Sequence, residues 1–347
     1  MYADEKEYWK DFAFDARRLG SPLYGMLAEA VDGDENLKSL ASRCRKGQPP
    51  ANILFGAVHY LLLKGALHPL RDCYATLGGT KSSPELFSLF QDFVARHRDE
   101  VQRLVETKVT NTNEVGRSAV LRAGFGALAE EEEAPLHLIE IGPSAGLNMI
   151  WDRYGIRYMR EGRVAAEVLS DAPLVLSCEL KSDALPPVDR MPAIASRVGL
   201  ELNPVNLANA EDRDWLRAVV WPDQPQRLAR LDRAIGMFLD APQEIRAGDA
   251  LALLPEALAE VPDGAAACVY HTITTYQFSQ QMRERLEAIL AAAGRPAWHL
   301  SFEFDGGSDY AVRLTQYDGA RHDRGIAKVR KLGLAQPHGG WLAWGEG

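Results

Sequence analysis

The chain has 347 residues, a formal net charge of −9, 46% hydrophobic residues and 25% charged ones. That is ordinary globular composition, enough for two domains or one large elaborated one. It argues against broad nucleic-acid binding, since phosphate contacts need clustered Lys and Arg and no basic stripe occurs.

Residues 1–130 read as helical. Trp9, Phe12, Ala13 and Ala16 share a helical face, and Ser21-Pro22 opens a second helix, Pro being tolerated in a first turn. Pro50 to Ala66 is nearly all apolar and suits a buried helix. Ser83-Pro84 opens another, with Leu86, Phe87, Phe90, Phe93 and Val94 on one face. Asn111 to Leu128 forms the last helix before an acidic linker, Glu130 to Glu133. From residue 135 strands alternate with helices. Strands are expected at 136–141, 197–202, 243–247, 266–271 and 297–304, and helices at 145–153, 211–220, 224–240, 249–260 and 277–293. Tyr154–Met159 and Leu174–Leu180 suggest a hairpin inserted around 154–192. Runs at 310–317 and 326–332 suggest an antiparallel hairpin at a sheet edge. The expected fold is α/β: a doubly wound, mostly parallel, Rossmann-like sheet over 135–347 behind an all-α region of residues 1–130.

Cys44, Cys73, Cys178 and Cys268 are scattered, which fits a reducing compartment and excludes a cysteine-rich zinc site. His59 and His68 lack i, i+4 spacing, so no metal is expected. The opening MYADEKEYWK carries acids and no apolar run, and no segment approaches the length of a membrane span. The expectation is a soluble cytoplasmic protein with a small-molecule substrate and neither a nucleic-acid nor a membrane partner.

The most informative segment is Leu136 to Asp152. An apolar run delivers Glu140 and then a glycine turn, Gly142-Pro143-Ser144-Ala145-Gly146, with a helical stretch behind it. Strand, glycine turn and helix let a backbone approach a ligand and aim unpaired N–H groups at it. In an open α/β sheet, ligands bind beyond the carboxyl ends of the strands. Those ends carry Glu140 and Gly142, then Glu201 and Asn203, then Gly248-Asp249-Ala250, then His271 and Thr272, then Glu303 and Asp305.

Glu140-Ile141-Gly142-Pro143-Ser144-Ala145-Gly146 resembles the E-x-G-x-G-x-G first motif of class I S-adenosylmethionine-dependent methyltransferases, with Ser144 replacing the middle glycine. The resemblance implies that Glu140, Gly142, Pro143, Ser144, Ala145, Gly146 and Asn148 hold the methionine portion of S-adenosylmethionine. It implies that Glu201, with Asn203, binds the ribose, and that Asp249 and Ala250 lie by the adenine. His271, Thr272 and Glu303 are the candidates for acceptor chemistry, and Asn113, Glu114 and Arg117 for the cofactor carboxylate or the acceptor. Glu140 and Glu201 are about sixty residues apart, where a plain βαβ unit separates such acids by roughly twenty. The insertion explains the gap; without it the ribose acid would be Glu179. The phrases EIGPSAGLNMIWDRY, RVGLELNPV, WLRAVVWPDQPQRLARLDRAI and TNEVGR also resemble the bacterial family called domain of unknown function 2332 over nearly the whole chain. That likeness carries no assigned activity.

Three other readings compete. Gly142 to Gly146 satisfies G-x-S-x-G, the nucleophile elbow of α/β-hydrolases, with Asp249 and His271, or Glu303 and His322, completing a triad around Ser144. That fold needs strands before the elbow, and everything upstream reads as helix. A methyltransferase-like scaffold without transfer chemistry, acting as a binding module, is the second; His271-Thr272-Ile273-Thr274 stands where an N-P-P-Y-type motif would be. A nicotinamide-dependent oxidoreductase is the third, and the turn does not give G-x-G-x-x-G.

Overall fold

The computed structural model describes residues 7–82, 84–306, 309–319 and 325–345. In chain order the helices α1 (Tyr8–Arg18), α2 (Pro22–Asp32), α3 (Glu35–Ala41), α4 (Pro50–Leu63), α5 (Leu86–Arg96), α6 (Arg98–Thr107) and α7 (Arg117–Leu128) come first. Strands β1 (Leu136–Ile141), β2 (Gly155–Arg160), β3 (Arg163–Val168), β4 (Val175–Leu180) and β5 (Ile194–Glu201) follow. Then come α8 (Ala210–Ala218), α9 (Pro225–Asp240), β6 (Glu244–Ala247), α10 (Ala250–Ala259), β7 (Ala266–Thr272), α11 (Gln280–Ala291), β8 (Ala297–Phe304), β9 (Tyr310–Tyr317), β10 (Ile326–Ala335) and β11 (Trp341–Trp344). Among the described residues no helix is long and apolar enough to cross a membrane.

The chain divides into two compact units, residues 1–112 with 205–232, and residues 113–204 with 233–347. This differs from a boundary near residue 130 in two ways. The α7 helix groups with the sheet, because all twelve of its residues except Arg117 are buried. Residues 205–232 group with the helical unit, because Trp215 covers Gly56 and lies tilted against Tyr60, while Trp221 meets Phe12 and Tyr24. In that unit the Ser21 hydroxyl accepts from Tyr24 N at 3.4 Å and donates to Asp223 at 2.6 Å, which caps α2 where Pro22 enters. His59 bonds the Ala218 carbonyl and the Thr76 hydroxyl, and His68 bonds Asp92. Both are satisfied core histidines. Ser83 lies outside the described residues.

The second unit is a mixed α/β structure: a large, mostly parallel sheet flanked by helices. Its strand order is β3-β2-β4-β11-β10-β9-β8-β7-β1-β5-β6. The block β8-β7-β1-β5-β6 is parallel throughout. Strand β1 is buried along its whole length, as a central parallel strand covered on both faces must be. On one face Ile139, Ile141, Val198, Leu200 and Val269 pack with Leu251, Leu254, Leu286 and Leu290 of α10 and α11. On the other, Phe125 of α7 stacks on Trp151 at 4.2 Å and meets Tyr270 edge-on.

Three expectations need correction. The insertion is three strands, not a hairpin, and it extends the sheet's far end through β4 beside β11. The β9–β10 hairpin is consequently interior rather than at an edge. The stretch after the glycine turn is a 3-10 helix, Leu147–Arg153, with a kink at Ile150, rather than an α-helix over 145–153.

Candidate functional site

The strand order reverses between β1 and β7: β1 continues outward to β5 and β6, β7 to β8. Ligands of open α/β sheets bind beyond such a switch point, where the two outgoing turns diverge. Both turns here hold a non-glycine residue in the left-handed region, Ser144 at φ 57° after β1 and Ile273 at φ 52° after β7. For β-branched Ile273 this is a true outlier, and strain of this kind persists only where the surroundings over-determine it. The two turns touch: a Cβ on Gly142 would lie 2.4 Å from Thr274 Cγ2.

The glycine turn is wired to the end of β5. Ser144 N donates to Glu201 Oε2 at 2.8 Å, Asn203 N donates to Glu201 Oε1 at 2.9 Å, and Gly248 N donates to the Glu201 carbonyl at 2.9 Å. Thus the ends of β1, β5 and β6 meet at Glu201. Asn113 Oδ1 accepts from Leu147 N at 2.9 Å. Asn148 is buried and ties Ser118 to the Glu114 carbonyl. Glu114 also accepts from Gly116 N, and Arg117 donates to the carbonyls of Thr272 and Pro337. The segment Asn113 to Arg117 therefore stands against the glycine turn and the end of β7.

Several expected features differ. The turn does not present a row of bare amides: Gly142 N bonds Leu200 O, Ser144 N bonds Glu201, Gly146 N bonds Pro143 O and Leu147 N bonds Asn113. Side chains supplied by neighbouring strands and the preceding loop have taken the donors that a helix start leaves open. The glycines admit the protein's own side chains: a Cβ on Gly146 would meet Phe238 at 2.7 Å and Ile245 at 2.9 Å. The Asp249 side chain is exposed and caps α10 through Leu251 N at 2.9 Å, with Ala250 opening that helix. Glu179 belongs to β4, six strand positions from β1, about 29 Å at ordinary strand spacing, and so takes no part.

Glu140 is 2% exposed and accepts a hydrogen bond from Tyr270 OH at 3.0 Å. Burial pushes its carboxyl up to about 8, with Glu201 adding to the rise and Tyr270 and Arg117 opposing it. At neutral pH Glu140 thus holds its proton. Strand alternation and register put Glu140, Tyr270 and Glu201 on the α7 face and His271, His299 and Glu303 on the α10–α11 face.

His271 is not a free base. Its Nδ1 lies 2.7 Å from Glu303 Oε1 and its Nε2 lies 2.9 Å from His299 Nε2. Glu303 Oε1 also accepts from the amides of Thr274 at 2.6 Å and Thr275 at 2.9 Å. Burial alone would raise the Glu303 carboxyl, but His271 and the two amides outweigh it and hold it below the usual range. Burial and the neighbouring His271 pull His299 down to about 3. Two buried polar atoms flanking the switch point have no partner, Ser144 Oγ and Glu303 Oε2. Buried polar groups are nearly always bonded, so each of these atoms has accepting capacity that a water or another group could use. Among the described residues no group of His, Cys, Asp or Glu suits a metal ion.

Sequence reasoning missed Tyr270, Ile273, Thr274 and His299. A signal for His299 was present: in WHLSFEF, positions 299 and 303 share one face of a period-two strand. For the hydrolase reading, no strand precedes Leu136 among the described residues and Ser144 Oγ bonds no histidine. His322 lies outside the described residues.

The family described as "Uncharacterized protein conserved in bacteria (DUF2332)" matches residues 6–344, and the chain belongs to it. No curated protein matches the chain.

Proposed function

We propose that this member of the family binds S-adenosylmethionine at the switch point of a Rossmann-like, methyltransferase-like sheet and moves its methyl group to a small or medium acceptor. One observation carries the reading: the acid ending β5, Glu201, is hydrogen-bonded to the amide of Ser144 in the glycine turn after β1. That contact sets a carboxylate beside the turn with one accepting site used on each oxygen, leaving lone pairs for two ribose hydroxyls.

The residues fit the cofactor in three respects. Ser144 Oγ is buried and needs a partner. Glu140, neutral in the free chain, would ionise beside a sulfonium or ammonium, because a nearby opposite charge favours the charged form. Arg117, Asn113 and Glu114 sit against the glycine turn and the end of β7 and are of the kinds that bind a carboxylate or an amino group. On this reading Gly142 to Gly146 and Asn148 border the methionine portion, Glu201 and Asn203 the ribose, Asp249 and Ala250 the adenine. His271, Thr272 and Glu303 face the acceptor. When bound, the cofactor supplies an electrophilic methyl group; the protein aligns the acceptor and, for some acceptors, takes a proton.

Thermal-shift screening and titration calorimetry with S-adenosylmethionine, its demethylated product and nicotinamide dinucleotides test the proposal. Ligand well above its Kd raises the melting temperature by several degrees. Absence of binding by either adenosyl compound would remove the cofactor and leave a scaffold of another kind. The esterase reading keeps one observation, the left-handed Ser144 at a strand-to-helix turn. Activity on generic esters that disappears in Ser144→Ala would favour it.

A further inference from the structure

The Glu303–His271–His299 cluster has a defined proton order. Three donors converge on Glu303 Oε1, the His271 ring and the amides of Thr274 and Thr275, so this carboxylate is the acceptor and His271 carries its proton on Nδ1. Neutral His271 then presents a bare Nε2, and the 2.9 Å contact requires His299 to donate from its own Nε2. Nδ1 of His299 makes no hydrogen bond among the described residues, and His299 is only partly buried. Its same-face neighbours run outward to Thr315 of β9 and then Val329 of β10, which is 57% exposed. His271, by contrast, is 2% exposed. One end of the cluster therefore looks to the open side of the sheet. The other ends at Glu303 Oε2, buried and without a partner.

We propose that His299 is the port through which the buried His271–Glu303 pair exchanges a proton with solvent, and that Glu303 Oε2 receives the O–H or N–H of the acceptor. The port itself is independent of the cofactor; only the naming of the acceptor rests on the transferase reading. In the loading direction a hydronium ion gives a proton to His299 Nδ1 and is left as water, the Nε2–H bond of His299 breaks, and an Nε2–H bond forms on His271, whose charge faces Glu303. On turnover the acceptor's O–H or N–H bond breaks and Oε2–H forms. The extra proton of His271 returns to His299 Nε2 and the Nδ1 proton of His299 passes to water, so the charge of the cluster is unchanged on turnover. When the methylated product leaves, entering water takes the Oε2 proton and restores the Glu303 carboxylate, and each cycle releases one proton to solvent. His299 positions and supplies protons to His271 and is not itself a substrate ligand. Acceptors that carry no proton at the methylated atom would not need this route.

The test is nitrogen-15 NMR of the histidine rings in the full chain, with no cofactor present. At a pH where both rings are neutral, His271 should carry hydrogen on Nδ1 and His299 on Nε2; the reverse assignment overturns the proposal. In His299→Gln the side-chain amide still donates to His271 Nε2 but cannot pass a proton. A structural role then leaves the solvent exchange of the His271 ring proton unchanged, and that outcome refutes the port. The port predicts slowing by on the order of tenfold or more, since exchange would have to wait for local opening. If His299→Gln fails to fold, His299→Phe fills the same place and should slow exchange likewise. S-adenosylmethionine binding, measured separately, can fail without touching either result.

Discussion

Glu140→Gln should stabilise the protein increasingly as pH rises. The folded chain holds the Glu140 carboxyl at about 8, against an ordinary value of 4.5. Between those values the unfolded chain has lost the proton and the folded chain has kept it. Stability then falls with rising pH, with the contribution fully present below the lower value and lost on the way to the upper one. The window spans roughly 3.5 pH units at about 1.4 kcal/mol each, so the wild-type side chain gives up as much as about 4–5 kcal/mol by pH 8. Glutamine carries no such proton, and its carbonyl can accept the Tyr270 hydroxyl as Glu140 does. Urea titrations of both proteins at pH 5, 6, 7 and 8 measure the difference. Near pH 5 the two should lie within about 1 kcal/mol; by pH 8 the variant's midpoint should be higher by more than about 1 M at an m-value near 3 kcal/mol/M. A gap that stays constant with pH, or a variant that weakens as pH rises, would mean that Glu140 is ionised in the folded chain. The same residue sets a ligand test: a cation bound beside it should displace its proton, so binding should release protons to buffer near pH 7.

Gly146→Ala should cost about 2–4 kcal/mol, because Ala at a left-handed φ is strained and its Cβ would overlap Phe238 and Ile245; a denaturation midpoint equal to wild type would contradict this. Glu201→Gln should lose a charge-assisted bond to a turn amide, worth about 1–2 kcal/mol. Under the proposed function it should also weaken S-adenosylmethionine at least about tenfold, or about 1.4 kcal/mol, by calorimetry. Asp249→Ala should lower stability by about 1 kcal/mol as a lost cap; a parallel loss of adenosine affinity would show that the carboxylate also reaches the ligand.

Four of the five parallel strands were readable because each carries a short apolar run between Gly, Pro or charged residues; β6, with two charged residues in four, was legible only from the Gly248-Asp249-Ala250 that follows it. The insertion was not, because β3 is largely exposed, with Val164 open, so its apolar residues keep no period of burial. Its pairing with β11 links residues more than 150 positions apart, and no local pattern encodes that. At the site, the acids at the ends of β1 and β5 were legible by position. Their charge states and partners were not, since burial and hydrogen bonding decide them: Glu140 turned out neutral, and Asp249 is occupied by its own helix. Ile273 in the left-handed region could not be foreseen, since its residue type argues against that conformation.

The far half of the sheet hangs on a narrow seam. Strand β11 meets β4 only through Trp341 beside Glu179 and Leu342 beside Leu180, with Glu179 N reaching Gly340 O and Lys181 N reaching Leu342 O. Strand β11 is thus the clasp for a segment laid down some 160 residues earlier. A polypeptide stopped before Trp341 would leave β4 and β10 each with an unzipped flank, and such flanks recruit other strands. However early the parallel block is complete, this seam has nothing to close with until residues 341–344 exist.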